Sequence, residues 1–221
     1  MIIIGHRGAK GLAPENTLDA IKHALKHHVD EVEFDVRVTK NGIPVLSHDS
    51  TLRIGDQTRV IAEHSLDELR HFKPNIAILA EALELVGNQA RLHIEIKPGE
   101  PIKPIVSVLL ACFSKNQLKP ADILLASKDQ KLLLSIHQLI PEAETVVIES
   151  WSGIRAGYRA RQLGTRRISM NQKWLWVGFL MSIKRAGWHL TPYTINNPAK
   201  ARRWQKYIYG VITDYPDRFS K

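Results

Sequence analysis

The hydrophobic and polar positions of the chain follow two periodicities in turn, and these predict strands and helices that alternate along its whole length. Short apolar runs, or runs with every second position apolar, are typical of strands, whereas apolar residues three or four apart are typical of helices. The predicted strands lie at residues 2–4, 32–39, 91–97, 122–126, 145–149, 166–170, 189–195 and 210–213. The predicted helices lie at residues 17–28, 79–86, 105–114, 130–139, 153–163, 175–186 and 199–207, with a further short helix after Ser65.

Eight strands that alternate with helices in a chain of 221 residues predict an α/β fold, a (β/α)8 TIM barrel. One domain over residues 1–221 is expected, because no linker or low-complexity stretch divides the chain. A β-hairpin and a short insertion, at about residues 37–80, follow the second strand. The main alternative is an open doubly wound sheet, which the hairpin and the number of strands disfavour.

Residues 30–50 hold a dense set of polar groups that the pattern places on one face. Glu33 and Asp35 alternate with apolar residues on the second strand, so their carboxylates point the same way. Asn41-Gly42 is typical of a two-residue hairpin turn, and the register that follows from such a turn places Asp35 opposite His48. Taken alone, this segment fits a solvated strand face as well as it fits a metal or acid–base site.

Polar side chains also follow the first and third predicted strands. His6 and Arg7 stand between two glycines after the first strand, and Glu95 and Lys97 share a face at the end of the third. A Gly-His-Arg-Gly segment by itself is also consistent with a surface turn. Because the carboxyl ends of barrel strands meet at one rim, these groups and the hairpin are expected to converge there, and convergence favours a site over a solvated face.

Several motifs occur in the same order as in a known family. They are Gly5-His6-Arg7-Gly8, Pro14-Glu15-Asn16-Thr17, Glu33-Phe34-Asp35-Val36, Asn41-Gly42 with Val45 and His48-Asp49, Leu52, Leu92 to Lys97, and Gly210 to Pro216. From the first strand to the last, the chain resembles the glycerophosphodiester phosphodiesterase family. The resemblance implies a TIM barrel and metal-dependent hydrolysis of glycerophosphodiesters, which are deacylated glycerophospholipids, to sn-glycerol 3-phosphate and an alcohol.

The resemblance also implies roles for individual side chains. The candidate catalytic pair is His6 and His48, the candidate metal ligands are Glu33, Asp35 and Glu95, and the candidate phosphate contacts are Arg7 and Lys97. Three carboxylates without a nearby cysteine form a hard oxygen site, which suits one divalent cation, Mg²⁺ or Ca²⁺. We expect His6 to act as the base and His48 as the acid. The reverse assignment stays open, because the sequence does not fix the side from which the alcohol leaves.

The chain departs from the family pattern in two places that bear on the substrate. The segment after Leu52 lacks the usual threonine-rich and glycine-rich stretch and the insertion is short, so any cap over the barrel mouth should be small. Where the family commonly has Trp-Thr-Val-Asn, this chain has Pro192-Tyr193-Thr194-Ile195-Asn196. Tyr193 is a candidate wall for the glycerol, and packing in the barrel mouth is an equally good interpretation of it.

The basic charge is concentrated in one part of the chain. Residues 151–221 hold fourteen Lys or Arg against two acidic residues, a net charge of +12, whereas residues 1–150 have a net charge of −3. All five tryptophans fall in the same third. Basic residues interleaved with tryptophan suit an anionic membrane surface. Solvated arginines on outer helices, with tryptophans packed beneath them or in a dimer contact, are the simpler interpretation, and an oligomer is therefore kept open.

The sequence disfavours membrane-spanning and disulfide-bonded classes of protein. No stretch reaches the ~18 apolar residues of a membrane span, and the short apolar start lacks the features of a signal peptide. The single cysteine, Cys112, excludes an intrachain disulfide. The expected location is therefore the cytoplasm, with peripheral contact at the inner membrane face as a variant.

Two classes of function follow from these observations. The first is the metal-dependent phosphodiesterase acting on a small-molecule glycerophosphodiester, with a lysophospholipase D-type activity at membranes as its variant. The second is a non-catalytic protein that binds anionic lipid or nucleic acid through the basic, tryptophan-rich third. The set of two histidines and three carboxylates favours the enzyme. Nucleic acid is disfavoured, because it is supported by charge alone, without a recognisable binding motif.

Overall fold

Eight parallel strands close into a barrel within residues 1–219, the part of the chain that the computed structural model describes. Residues 1–219 form eleven strands, of which eight build the barrel and three, β3 to β5, belong to the hairpin and the insertion. They are β1 Ile2–Gly5, β2 Glu31–Val38, β3 Pro44–Leu46, β4 Thr51–Ile54, β5 Gln57–Val60, β6 Arg91–Ile96, β7 Ile123–Ser127, β8 Glu144–Glu149, β9 Arg167–Asn171, β10 His189–Tyr193 and β11 Gly210–Thr213. The barrel order β1-β2-β6-β7-β8-β9-β10-β11 returns to β1, and every neighbouring pair is parallel. The predicted TIM barrel is therefore confirmed.

Helices connect the barrel strands and cover the outside of the barrel. They are α1 Leu18–Lys26, α2 Leu66–Phe72, α3 Leu79–Val86, α4 Ile102–Ser114, α5 Gln130–Leu139, α6 Gly153–Gln162, α7 Val177–Arg185 and α8 Pro198–Trp204. The α1 helix begins after Thr17, whose hydroxyl accepts a hydrogen bond from the backbone N–H of Ala20. Ala20, Ile21 and Ala24 form its buried face. Among residues 1–219, no helix is both long enough and apolar enough to cross a bilayer.

The hairpin after β2 forms, but its predicted register is wrong by one residue. Val38 pairs with Pro44, so the residue opposite Asp35 is Ser47, whose N–H donates to the Asp35 carbonyl. Gly42 has a φ of 77° and donates to the Thr39 carbonyl. This is the longer turn in which a single left-handed glycine follows an ordinary turn, and it uses one residue more than the predicted two-residue loop.

The insertion contains more structure than its polar sequence predicts. Residues 51–60 form a second hairpin, in which β4 pairs with β5. Five buried side chains pack beneath this hairpin and α2: Val45, Leu52, Ile61, Leu69 and Ile76. The insertion therefore has its own small core beside the barrel mouth.

An ionic cluster fills part of the barrel interior below the mouth. Arg167 on β9 donates from Nη2 to both carboxylate oxygens of Glu31 on β2, at 2.7 and 2.9 Å, and all of these groups are buried. His93 Nδ1 lies 3.2 Å from Glu31 Oε2. Burial alone would raise the pKa of Glu31, but His93 and Arg167 outweigh it and hold the pKa below its usual value. The cluster ties strands on opposite sides of the barrel together.

Candidate active site

A cavity of about 290 Å³ opens at the carboxyl ends of the barrel strands. Seven of the eight candidate site residues line it: His6, Arg7, Glu33, His48, Glu95, Lys97 and Tyr193. The eighth, Asp35, is buried behind this lining, where it contacts Arg7 and Lys97. His48 reaches the cavity although it does not pair with Asp35, because the hairpin folds its end back over the barrel mouth. The structure therefore brings the predicted residues together at one rim.

The His6 ring is fixed by a carboxylate at the opposite end of the sequence. His6 Nδ1 lies 2.6 Å from Asp214 Oδ1, and Asn196 Nδ2 donates to the other oxygen of Asp214 at 2.7 Å. The Asn196 side chain also accepts from the Asp214 N–H at 2.9 Å. Burial alone would raise the pKa of Asp214, but the hydrogen bonds with His6 and Asn196 outweigh it and hold the pKa below its usual value. An ionised Asp214 requires the proton on Nδ1, which leaves Nε2 facing a ligand.

Sequence reasoning assigns no role to Asp214 or Asn196. Their signal is positional, since Asp214 directly follows β11 and Asn196 follows β10 by three residues. Both therefore belong to the same rim as the predicted site residues.

The second histidine is held in a similar way but nearer to solvent. His48 Nδ1 lies 2.7 Å from Asp49 Oδ1, and the His48 carbonyl accepts from Arg37 Nε at 3.0 Å. The hydrogen bond to His48 lowers the pKa of Asp49. Because the Asp49 side chain is mostly exposed, water screens this pair more than the buried pair at His6. His48 also borders a second cavity, of about 400 Å³, under the insertion.

Three carboxylates meet beneath the mouth because of strand pairing. Glu33 and Asp35 lie on one face of β2, and Asp35 pairs with Glu95 on the neighbouring β6. One oxygen from each carboxylate lies within 4.8 Å of the others. All the ligand atoms are hard oxygens, the type that Mg²⁺ and Ca²⁺ prefer.

The buried carboxylates Asp35 and Glu33 lie in unlike electrostatic surroundings. Asp35 accepts from Lys97 Nζ at 2.5 Å and lies 3.2 Å from Arg7 Nε. Burial alone would raise the pKa of Asp35, but Lys97 and Arg7 outweigh it and lower the pKa. Glu33 is the opposite case, because burial and the neighbouring carboxylates of Asp35 and Glu95 raise its pKa well above the usual value. Carboxylates crowded closely enough to raise the pKa of Glu33 are an arrangement that a bound cation relieves, and all three supply hard oxygen ligands, so the residues present fit a divalent cation.

Asn16 holds the buried carboxylate of Asp35 from a third direction. Its Nδ2 donates to Asp35 Oδ2 at 2.9 Å, and its Oδ1 accepts from the Asp35 N–H at 3.0 Å. Thr17, not Asn16, caps α1. The left-handed backbone of Asn16, with a φ of 56°, turns its amide toward β2.

Arg7 is held by the segment that follows β1. Its Nη1 donates to Glu15 Oε1 at 2.7 Å, and its backbone N–H donates to Glu33 Oε2 at 2.7 Å. The chain after Arg7 can pass close to α1 because residue 8 is a glycine with a φ of 81°. A β-carbon at this position would lie 2.5 Å from the Ala20 carbonyl carbon. The guanidinium therefore borders the cavity in a fixed position.

Tyr193 forms part of the cavity wall at the end of β10. Its hydroxyl donates to the Glu149 carbonyl at 3.3 Å. Burial raises the pKa of Tyr193 to about 12, so the phenol stays neutral. The side chain packs in the barrel mouth and faces the cavity, and its contact with a glycerol group stays a prediction.

Known proteins share this architecture along almost the whole chain. The family model described as the glycerophosphoryl diester phosphodiesterase family matches residues 6–218. A glycerophosphodiester phosphodiesterase from Bacillus subtilis is 27% identical over 251 aligned positions, covering 100% of this chain and 86% of the relative. A local match of 72 residues to the human glycerophosphodiester phosphodiesterase 1 is 43% identical but covers 32% of this chain and 22% of that protein.

Solved structures agree with the sequence comparison. A phosphodiesterase from Oleispira antarctica, in complex with the product sn-glycerol-3-phosphate, superposes with a TM-score of 0.87 and 27% identity, over 99% of this chain and 94% of that one. A glycerophosphodiester phosphodiesterase from Thermotoga maritima superposes with a TM-score of 0.82 and 25% identity, over 99% of this chain and 96% of that one. The predicted enzyme class, a phosphoric diester hydrolase, is thereby confirmed. With its barrel, its rim of paired polar residues and a family-model match over residues 6–218, the chain belongs to the glycerophosphoryl diester phosphodiesterase family.

Proposed function

We propose that the protein hydrolyses small glycerophosphodiesters to sn-glycerol 3-phosphate and an alcohol, using His6 and His48 for proton transfer and one divalent cation, Mg²⁺ or Ca²⁺. The observation that carries the proposal is a single cavity lined by two carboxylate-paired histidines together with the acidic cluster. The structural neighbour that contains sn-glycerol-3-phosphate supports the product.

Glu33, Asp35 and Glu95 would hold the cation, which would supply positive charge to the phosphate and orient its oxygens. Arg7 and Lys97 border the same cavity, and their cationic groups favour a bound phosphodiester anion. Without such cations the acidic cluster would repel the phosphate. The positive groups therefore bind the substrate and offset the charge that develops on its oxygens.

His6 is assigned as the general base. Its Nδ1–H is held by Asp214, so the Nε2 lone pair can accept the proton of the attacking oxygen, which belongs to water or to a neighbouring glycerol hydroxyl. The new bond forms to phosphorus as the bond to the leaving alkoxide breaks. Where the glycerol hydroxyl attacks, the product is a cyclic phosphodiester, which water must then open to give sn-glycerol 3-phosphate. Asp214 stabilises the imidazolium that results, because its negative charge lies 2.6 Å from the ring.

His48 is assigned as the general acid. It lies between the catalytic cavity and the cavity under the insertion, so the leaving alcohol has space on the His48 side. A protonated His48 would donate to the leaving alkoxide. Each proton transfer is typically worth ~10² to 10⁴ in rate.

The proposal is tested by the release of sn-glycerol 3-phosphate from glycerophosphocholine and glycerophosphoethanolamine, and of lysophosphatidic acid from lysophosphatidylcholine. His6→Ala and His48→Ala are measured beside wild type. His71→Ala, an exposed histidine of α2, is the matched control. We expect both active-site variants to lose at least ~10² in kcat while the control keeps wild-type activity. The proposal is refuted if the wild-type protein hydrolyses none of these diesters with either metal present.

A second substrate separates the two histidine roles. A p-nitrophenyl ester of glycerol phosphate releases a stable anion that needs little protonation, so it should restore the rate of His48→Ala far more than that of His6→Ala. Rescue of His6→Ala instead would reverse the assignment.

A further inference from the structure

Large apolar side chains lie exposed beside the barrel mouth, although such residues are normally buried. They are Trp151, Ile154, Tyr158, Trp174, Trp176 and Val177, and we call them the rim patch. Their exposures run from 40% for Val177 to 91% for Ile154. Single exposed apolar residues need no explanation, but a contiguous group of them marks an interaction surface.

The rim patch is continuous because two neighbouring loops supply it. One group follows β8 into α6, and the other follows β9 into α7. The two loops touch, since a β-carbon on Gly153 of α6 would lie 2.4 Å from the Phe179 ring of α7. On α6, Ile154 and Tyr158 are four residues apart and therefore share one face of the helix.

Both loops are tied to the wall of the catalytic cavity. Tyr193 donates to the carbonyl of Glu149, two residues before Trp151. Gln172, two residues before Trp174, donates to the carbonyl of Thr194, which also lines the cavity. A surface that covered the rim patch would thus lie against the mouth of the barrel.

The stretch of chain that carries the rim patch is basic. The chain contains no Asp or Glu between Glu149 and Asp214, and this stretch includes all the residues of the patch. Arg155 lies over the Trp151 ring at 4.9 Å, and Lys173 stands exposed beside Trp174. The buried Glu149 neutralises Arg155, which leaves Lys173 and Lys128, an exposed lysine at the end of β7, as free positive charges near the mouth.

We propose that the rim patch docks the barrel mouth onto the surface of an anionic phospholipid bilayer. Tryptophan and tyrosine rings favour the boundary between headgroups and acyl chains, and lysines near such a surface are attracted by anionic lipids. A second copy of this chain is the weaker candidate, because two such patches would bring like charges together without acidic partners. The inference goes beyond the proposed function and does not require turnover.

The test is co-sedimentation of the full chain with vesicles of phosphatidylcholine, with and without phosphatidylglycerol, at low and raised salt. Wild type should bind the anionic vesicles and release them as salt rises. The double variant Trp174→Ala/Trp176→Ala should bind about tenfold less, while its hydrolysis of a water-soluble diester stays at the wild-type rate. The double variant Leu110→Ala/Leu139→Ala removes exposed apolar area from α4 and α5 and should bind as wild type does.

Two single variants keep the test independent of folding. Ile154→Ser changes the most exposed apolar residue, and Lys173→Glu reverses an exposed charge, so both should fold and both should weaken vesicle binding. The proposal is overturned if anionic vesicles do not bind wild type at low salt. It is also overturned if the tryptophan variant binds vesicles like wild type, or if its only effect is to convert a dimer into a monomer in sedimentation velocity.

Discussion

The hydrogen bond between His6 and Asp214 gives the sharpest test of the proposed chemistry. Replacing Asp214 by Asn keeps the shape of the side chain and removes its charge. The amide can donate to Nδ1, in which case the imidazole proton moves to Nε2 and the base faces its substrate already protonated. The variant therefore changes the tautomer of His6 with little change in packing.

The expected loss can be bounded from the geometry. A hydrogen bond to a charged group contributes ~1.5–3 kcal/mol, and 1.36 kcal/mol is a factor of ten in rate. The Asp214 charge lies 2.6 Å from His6 Nδ1 and stabilises the imidazolium. Loss of this stabilisation alone should lower kcat by about 10- to 150-fold. The wrong tautomer adds to this loss, so we expect a total of ~10² to 10⁴.

The assay is sn-glycerol 3-phosphate release under saturating diester, with kcat and KM measured across pH. The fall should lie in kcat, because Asp214 contacts the base and does not line the cavity. Asp217→Asn, an exposed acid near the end of the chain, is the matched control. A kcat within threefold of wild type, in a variant with unchanged thermal unfolding, would refute the role given to Asp214.

Three further predictions concern stability. Arg167→Met removes the guanidinium that binds both oxygens of the buried Glu31 and leaves His93 at one of them, so the free energy of unfolding in urea should fall by ~3–5 kcal/mol, and a loss below ~1 kcal/mol would count against the cluster. Gly8→Ala should lower the free energy of unfolding by ~1–3 kcal/mol, because the position has a φ of 81° and a β-carbon would meet Ala20. A variant as stable as wild type would contradict this. Burial alone would raise the pKa of Glu149, but hydrogen bonds from an arginine and two backbone amides lower it. Its stabilising contribution is thus complete above the unfolded pKa of about 4.3 and is lost as pH falls through the folded pKa. The stability difference between wild type and Glu149→Gln should shrink as pH falls from about 5 to 3, and a difference independent of pH would contradict this.

The sequence predicted the barrel because its signals are local and repeated. Alternating apolar periods and caps located the strands and helices, and α3, α5 and β11 have the predicted bounds. The predicted start of α4 at residue 105 is three residues late, since the helix begins at Ile102 and holds Pro104 in its first turn. A proline in the first turn costs little, since the N–H groups there have no partner within the helix.

Features that depend on one residue or on distant pairs were not predictable in the same way. The hairpin register depends on whether Gly42 is the only left-handed residue of the turn. A shift of one residue in strand pairing is enough to separate Asp35 from His48. Glu31 and Arg167 are 136 residues apart in the chain, so no local pattern joins them. The rim carboxylates and histidines were found because strand ends converge, whereas their roles, the oligomeric state and the location of the protein stay predictions.

The central claim is that the acidic cluster holds a divalent cation needed for diester hydrolysis. The most direct measurement is release of sn-glycerol 3-phosphate from glycerophosphocholine by protein treated with EDTA and then supplied with Mg²⁺ or Ca²⁺, beside Glu95→Gln. We predict that EDTA abolishes release, that one of the two ions restores it, and that the variant needs about tenfold or more of that ion. Full activity in EDTA, or an unchanged ion requirement in Glu95→Gln, would contradict the account.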